Sequence, residues 1–400
     1  MSTSTPQTTV FSPNSTELLT ENPWEWLRQQ MPVTKRWVYF DHAAVAPLPE
    51  PACRRSQRFV QEASEQGDTC WLQWAAEIEE LRSGIANWLR ATPEEIALIP
   101  NTTFGVNLVA EGWQWRPGDN IVVPEGEFPS NHFPWQNQQR KGVELRVVPS
   151  PMGRIDLDGI RRAIDSRTRM VAASWVGYLS GYRVPLADLC QMAHERGAFF
   201  FLDAIQGLGA FPLDLGEIPI DFLAADGHKW MLGPEGAGFA FIRKCHLERL
   251  ECSVVGWNSV VGRQHFSASA MELRDSAARF EGGSYNMNGL LTLFASLQLL
   301  WQISSVHGHD AIANRILSLH AFARERLRAA GFKLWSDWSR SQRSGIITLS
   351  LANESPQTAR ERLLNLGIVT SRRGDGLRFS PHAYNTEEEL ERAIEVLQNR

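Results

Sequence analysis

The stretch AFFFLDAIQG, residues 198–207, sets four consecutive large apolar side chains directly before an aspartate. A run that is apolar on both of its faces reads as a strand covered on both sides, as in a sheet flanked by helices. Working outward, runs of the same kind recur at IALIP (96–100), NIVVP (120–124), VELRVVP (143–149), RMVAASWV (169–176), DFLAAD (221–226) and GAGFAFI (236–242). Between them, EIEELRSGIANWLR (77–90), LDGIRRAI (157–164) and LADLCQMAHERG (186–197) carry apolar residues at three- and four-residue spacing, which predicts helices. The expected fold is α/β, with a mostly parallel seven-stranded sheet whose ligand site lies at the carboxyl ends of the strands.

Downstream the pattern changes. NMNGLLTLFASLQLLWQIS (286–304) predicts a long apolar helix; GIITLSL (345–351), TARERLLNLG (358–367), LRFSPHAYN (377–385) and TEEELERAIEVLQ (386–398) then predict a smaller α+β domain. Thr386 and Glu389 form a capping box at the start of the last helix. The division expected is a flexible N-terminal tail and arm over 1–36, a large domain over 37–300 and a small C-terminal domain over 301–400. The first residues of the large domain are expected to contribute to the small domain and the substrate pocket.

Composition bounds the partners. With 400 residues, 43% hydrophobic, the chain can bury one large or two intimately packed cores. A net charge of −5 without a dense basic run makes a nucleic-acid backbone an unexpected partner. No stretch reaches the roughly 18 to 20 uninterrupted apolar residues of a membrane span, and the Ser/Thr-rich start lacks a signal pattern, so no membrane partner and a cytoplasmic location are expected. Five cysteines, odd in number and without CxxC spacing, argue against a disulfide framework and a structural zinc site; no metal is expected.

Lysine is scarce: five, against thirty-five arginines. Lys229, in DGHKWMLGPEGAGFAF (226–241) just past a strand, is therefore a candidate Schiff-base amine, chemistry that a guanidinium cannot perform; a surface lysine is the plainer reading. Asp203 closes an apolar strand, where a buried carboxylate needs a cation or hydrogen-bond donors; it could also cap the next helix. NTTFGVNLVA (101–110) opens a helix with hydroxyls and free N–H groups, which suits a phosphate as well as a simple cap.

Taken together and in order, these blocks resemble the class V aminotransferase superfamily of fold-type I pyridoxal phosphate enzymes, which includes cysteine desulfurases, selenocysteine lyase, kynureninase and isopenicillin N epimerase. The resemblance runs from about residue 37 to 398 through YFDHAAVAPLP (39–49), NTTFGVNLVAEG (101–112), EFPSNHFPWQ (127–136), FLDAIQG (201–207), the lysine block, RFEGGSYNMNG (279–289) and LRFSPHAYNTEEELERAI. It implies pyridoxal 5′-phosphate as cofactor, an amino acid as small-molecule substrate, and a homodimer with shared active sites. Lys229 would carry the cofactor and move the α-proton, Asp203 would face the pyridine nitrogen, and Gln206 would bond the phenolic oxygen. Thr102, Thr103 and His228 would hold the phosphate, joined by Ser284 from the neighbouring subunit. Arg378 would take the substrate carboxylate.

Phe128 falls where desulfurases stack a His on the cofactor ring. Tyr178 is a second candidate for the phenolic oxygen, or else a core tyrosine. His42 and Trp257 are candidates for the pocket wall; the fifteen tryptophans are otherwise expected in the core or an interface. Arg372 and Arg373 could add substrate-binding charge or be solvated loop residues. Asp226 replaces a Ser near the phosphate and is expected to turn toward a backbone or His partner. TSRRGDGLR (370–378) lacks the nucleophilic Cys of a desulfurase loop. The reading is a transaminase or C–S/β-lyase acting on an α-amino acid. The alternatives are cysteine desulfurase or selenocysteine lyase-like activity and isopenicillin N epimerase-like racemisation, with an idle pyridoxal phosphate-binding module as the non-enzyme rival.

Overall fold

A computed structural model describes residues 13–263, 271–335 and 338–399. Strand β1 (Val38–Tyr39) precedes a seven-stranded sheet built from β2 (Ile96–Ile99), β3 (Asn120–Pro124), β4 (Glu144–Val148), β5 (Thr168–Ser174), β6 (Phe199–Asp203), β7 (Phe222–Asp226) and β8 (Gly238–Ile242). The order is β2-β8-β7-β6-β5-β3-β4, and only β8 runs against its neighbours. Alternation explains why the FFFLD run is apolar throughout. Phe200 and Leu202 enter the core on one face of the sheet and Phe201 enters the core on the other.

The small domain follows with β9 (Lys333–Leu334), β10 (Ile347–Ser350), β11 (Ile368–Val369), β12 (Ser371–Arg373) and β13 (Gly376–Phe379). Four of them form an antiparallel sheet in the order β12-β13-β10-β9, packed on helices Ala311–Ala329, Pro356–Asn365 and Glu387–Gln398 over a core that includes Phe40, Leu319, Leu363 and Ile394. β1 pairs in parallel with β11, and Asp41 bridges to Ser380, so the segment after residue 37 joins the small domain. The capping box at Thr386 and Glu389 is formed.

Two expectations about organisation are corrected. Residues 1–36 were expected as a flexible tail and arm, yet from Pro13 onward the chain forms helices Pro13–Glu21 and Pro23–Gln29. Trp26, Leu27 and Met31 lie at 1% exposure or less, and Arg28 pairs with Glu389 at 2.7 Å. The cause is local: Asn22 caps the second helix through Glu25 N–H, Pro23 starts it, and one apolar face follows. Residues 1–12 lie outside the described residues. A boundary at 300/301 would fall within Met287–His307, a continuous 21-residue helix. That helix is long and apolar enough to cross a membrane, but it packs on helices Glu50–Gln66 and Trp71–Leu89 as a core element.

One buried ion pair ties several of these pieces together. Arg82 on the helix Trp71–Leu89 meets Glu281 at 2.5 and 3.0 Å and also donates to the Ile96 carbonyl. Glu281 in turn accepts from Leu98 N–H and the Tyr285 hydroxyl, both at 2.6 Å, which fixes the segment that carries Ser284. Breaking such a pair on one side strands a buried charge at a cost of about 3–5 kcal/mol. Glu281→Ala is therefore expected to lower unfolding free energy by about that amount in denaturant titration, whereas Arg82→Met with Glu281→Leu should lose clearly less.

Candidate active site

The carboxyl ends of the parallel strands converge. β6 delivers Asp203, and β7 runs into the turn that holds His228 and Lys229. β2 leads through Asn101 into the helix Thr102–Gly112, while β3 and β5 lead into the segments of Phe128 and Tyr178. The geometry follows from strands that are buried on both faces and stop abruptly at a polar residue.

Lys229 is 8% exposed, and burial brings its amine down to about 8, with Asp203 opposing that shift and Arg378 adding to it. Its Nζ stands 5.6 Å from the centre of the Phe128 ring, which meets Tyr178 edge-on at 5.2 Å. Asp203 is 2% exposed and accepts one hydrogen bond, from Ile205 N–H at 3.1 Å. Burial pushes its carboxyl up to about 6, against the pull of the Ile205 N–H and Lys229. A carboxylate so placed has capacity for a cationic N–H donor.

At the other end of the site, Asn101 caps the helix by accepting from Phe104 N–H at 2.9 Å. Gly105 lets this helix sit tightly on the sheet: a Cβ there would come 2.5 Å from that of Ala224. The Thr102 hydroxyl is buried with no hydrogen-bond partner among the described residues, beside first-turn N–H groups that have no partner within the helix. The Thr103 hydroxyl donates to Ser130 at 2.7 Å, joining the helix start to the Phe128 segment. Asp226 Oδ2 approaches His228 Nδ1 to 3.0 Å, although the geometry is not that of a hydrogen bond. It thus turns toward its His neighbour. An unpartnered buried hydroxyl at a helix start, a buried amine and a buried carboxylate short of donors fit the phosphate, aldehyde and pyridine nitrogen of pyridoxal phosphate.

Arg378, on β13, is fully buried between Tyr178 O (2.9 Å), Asp41 (3.1 Å) and Ser371 (3.2 Å). Burial lowers its guanidinium to about 10, with Asp41 resisting.

Comparison with known proteins decides what this arrangement belongs to. Residues 38–393 match the family model described as aminotransferase class-V. The chain belongs to that family. Its members use pyridoxal phosphate, the cofactor of this enzyme too. A cysteine desulfurase of Klebsiella pneumoniae (strain 342) is 32% identical over 404 residues, spanning 94% of this chain and 97% of the relative. A probable cysteine desulfurase of Methanothermobacter thermautotrophicus is 28% identical over 396 residues, with the same coverage. The solved cysteine desulfurase of Thermococcus onnurineus NA1 superposes with a TM-score of 0.84 at 25% identity, covering 93% of this chain and 96% of that one.

Other expected residues of this class-V enzyme fall elsewhere. His42 is not a pocket wall: it is fully buried, with Nδ1 on Ser380 O and Nε2 on the Tyr384 hydroxyl, both at 2.8 Å, among the rings of Trp230 and His382. Burial and then His382 hold its imidazole well below the usual range, so it is a neutral core residue. Gln206 bridges two loops, donating to Ala43 O and accepting from Trp230 Nε1, both at 2.9 Å; one N–H remains for the cofactor. Trp257 is 37% exposed, a surface position within a single chain, and Ser284 is exposed as well. None of the expected residues lines the cleft of about 570 Å³ around Arg154, Asp158 and Arg183.

Glu127 escaped the sequence reading. It accepts from Ser174 N–H (2.8 Å), the Ser174 hydroxyl and Asn131 Nδ2 (2.9 Å), anchoring the Phe128 segment to the end of β5. Burial pushes its carboxyl up to about 7 against those hydrogen bonds, with the Asp203 charge adding to the rise. Its only signal was a carboxylate just past a strand end, beside an aromatic residue.

Two pH dependences follow. Asp203 is raised in the folded state, so its ionisation destabilises the stripped protein as pH rises through about 6. Asp203→Asn should therefore be more stable than the wild type at about pH 8, by roughly 2–3 kcal/mol, and equal to it near pH 4. Thermal unfolding of both stripped proteins against pH measures this. Lys229 is nucleophilic only when neutral, so uptake of pyridoxal phosphate by the stripped protein should quicken up to about pH 8 and then level off. A rate still climbing at about pH 10 would mark an amine with an ordinary pKa.

Proposed function

We propose that this enzyme cleaves the C–S bond of a cysteine-type amino acid by elimination, releasing the sulfur without loading it onto an enzyme thiol. The relatives favour a sulfur amino acid, the substrate class of the alternative reading, over transamination. The observation that carries the mode of release is the hairpin before Arg378. β12 and β13 are joined by a two-residue turn, Gly374–Asp375, flanked by Arg372 and Arg373. All five cysteines precede residue 253, and Cys70 and Cys190 are buried. A persulfide on this hairpin has no thiolate to form on. The balance is then L-cysteine plus water giving pyruvate, ammonia and hydrogen sulfide.

Pyridoxal phosphate, when bound, supplies the electron sink that weakens bonds at Cα. Asp203 would hold the pyridine N–H, Thr102 with the helix start and His228 the phosphate, and Gln206 the phenolic oxygen. Phe128 covers the ring face and keeps water from Lys229. Arg378 orients the substrate through its carboxylate, a bidentate contact that an ammonium would not reproduce. Lys229 Nζ moves the Cα proton; an amine with a pKa of about 8 is populated in both protonation states near neutral pH. Ser284, exposed in the single chain, suits a hydroxyl that serves the phosphate of a second copy, and the working unit is taken as a homodimer.

The test is product analysis of the holoenzyme with L-cysteine. Sulfide and pyruvate should appear in equal amounts, without alanine, and a variant with Cys53, Cys245 and Cys252 all changed to Ser should keep this activity. Alanine formed together with a protein persulfide would sink the reading.

A further inference from the structure

The hairpin that carries Arg378 places a second cation on the same face. β12 and β13 pair Ser371 with Arg378 and Arg373 with Gly376. In a ladder of period two these four residues share one face. Arg378 is already committed there to Ser371, Tyr178 O and Asp41. One N–H is left on each terminal nitrogen, the pair that grips a single carboxylate. It can hold the substrate's α-carboxylate and no second anion.

Arg373 has the opposite character. It is partly buried and donates Nη1 to Arg372 O at 2.9 Å, and among the described residues no carboxylate lies within ion-pair distance of it. Its charge depresses the pKa of both Lys229 and Arg378, so it lies within electrostatic reach of the site. A guanidinium drawn partly from water without a counter-ion favours an arriving anion.

A cavity of about 440 Å³ adjoins it, lined by Phe128, Ser174, Tyr178, Leu179, Leu334 and Trp335. Trp335 lies over the hairpin so closely that a Cβ on Gly376 would come 2.6 Å from its ring, which only glycine permits. The wall of the cavity and Arg373 thus meet across one cross-strand pair. Such a volume suits a substituent far larger than a thiol.

We propose that Arg373 is a specificity-determining residue that receives an anionic group at the end of the substrate's side chain, the site being built for S-substituted cysteines whose sulfur substituent ends in a carboxylate. This rests on the C–S cleavage reading above. The substituent lies in the cavity beside Phe128 and Tyr178, and the leaving thiolate departs with its carboxylate still held.

S-carboxymethyl-L-cysteine tests this against the neutral S-ethyl-L-cysteine. With water, the first gives pyruvate, ammonia and thioglycolate. The holoenzyme should prefer it at least about tenfold in kcat/KM, the order expected of one charge-assisted contact. Arg373→Gln should abolish that preference, mainly through KM, and Arg373→Lys should restore part of it. Loss of both substrates in parallel would overturn the proposal, because Arg373 would then be serving the α-carboxylate. So would an unchanged preference. If neither compound is cleaved, the C–S reading fails by itself. Binding of L-glutamate against L-norvaline, measured by equilibrium dialysis of the holoenzyme, then decides Arg373. Equal affinities, or a glutamate preference that survives Arg373→Gln, would refute it.

Discussion

A carboxylate at 2% exposure with a single hydrogen bond is the constraint on which this site turns. Asp203 can be there only because the strand before it is apolar on both faces and stops at that residue, and an ionised group so placed is stable only opposite a cation. Lys229 supplies part of that charge from the next strand end. The rest fits the cofactor's pyridine nitrogen. The sheet therefore does more than support the site. Its double-sided burial creates the low-dielectric setting that lowers the lysine, raises Asp203 and Glu127, and makes each polar contact there strong.

That logic explains what could be read from the chain and what could not. All seven strands of the large sheet were legible because parallel strands are apolar runs, and Lys229, Asp203 and Phe128 announced themselves by standing where such runs end. The Thr386 capping box was legible for the same kind of local reason. His42 was misread because sequence shows that a residue can hydrogen-bond but not whether its bonds are already made; Ser380 and Tyr384 lie more than 300 positions away. Glu127 was missed for the converse reason. Its partner Ser174 comes from another strand, so nothing local distinguishes it from a solvated loop glutamate. The N-terminal helices were hidden by a Ser/Thr-rich start, although the cap at Asn22 and Pro23 was there to be read.

Two groups of charges divide the work. Asp203, Lys229 and the helix start at Thr102 face the cofactor, and their positions are set by the ends of the large sheet. Arg378 belongs to the small domain, yet it is fixed from both sides, by Tyr178 O of the large domain and by Asp41 from the segment that β1 threads into the small one. A guanidinium locked in this way adds little side-chain entropy cost when a carboxylate arrives, so the substrate is oriented by a group that does not have to be ordered first.

The length of one turn then couples chemistry to recognition. With only Gly374 and Asp375 between β12 and β13, the hairpin cannot extend a loop over Lys229, and no nucleophilic thiol can be offered to the substrate's sulfur. The same tight turn keeps Arg373 in register with Gly376, on the face shared with Arg378 and beneath Trp335. A longer connection would free Arg373 from that ladder. Sulfur that has no enzyme acceptor must leave with whatever it is bonded to, and a leaving group is best retained through bond cleavage by a cation aligned with its far end. On these grounds the absence of the thiol and the placing of the arginine are two consequences of a single structural choice.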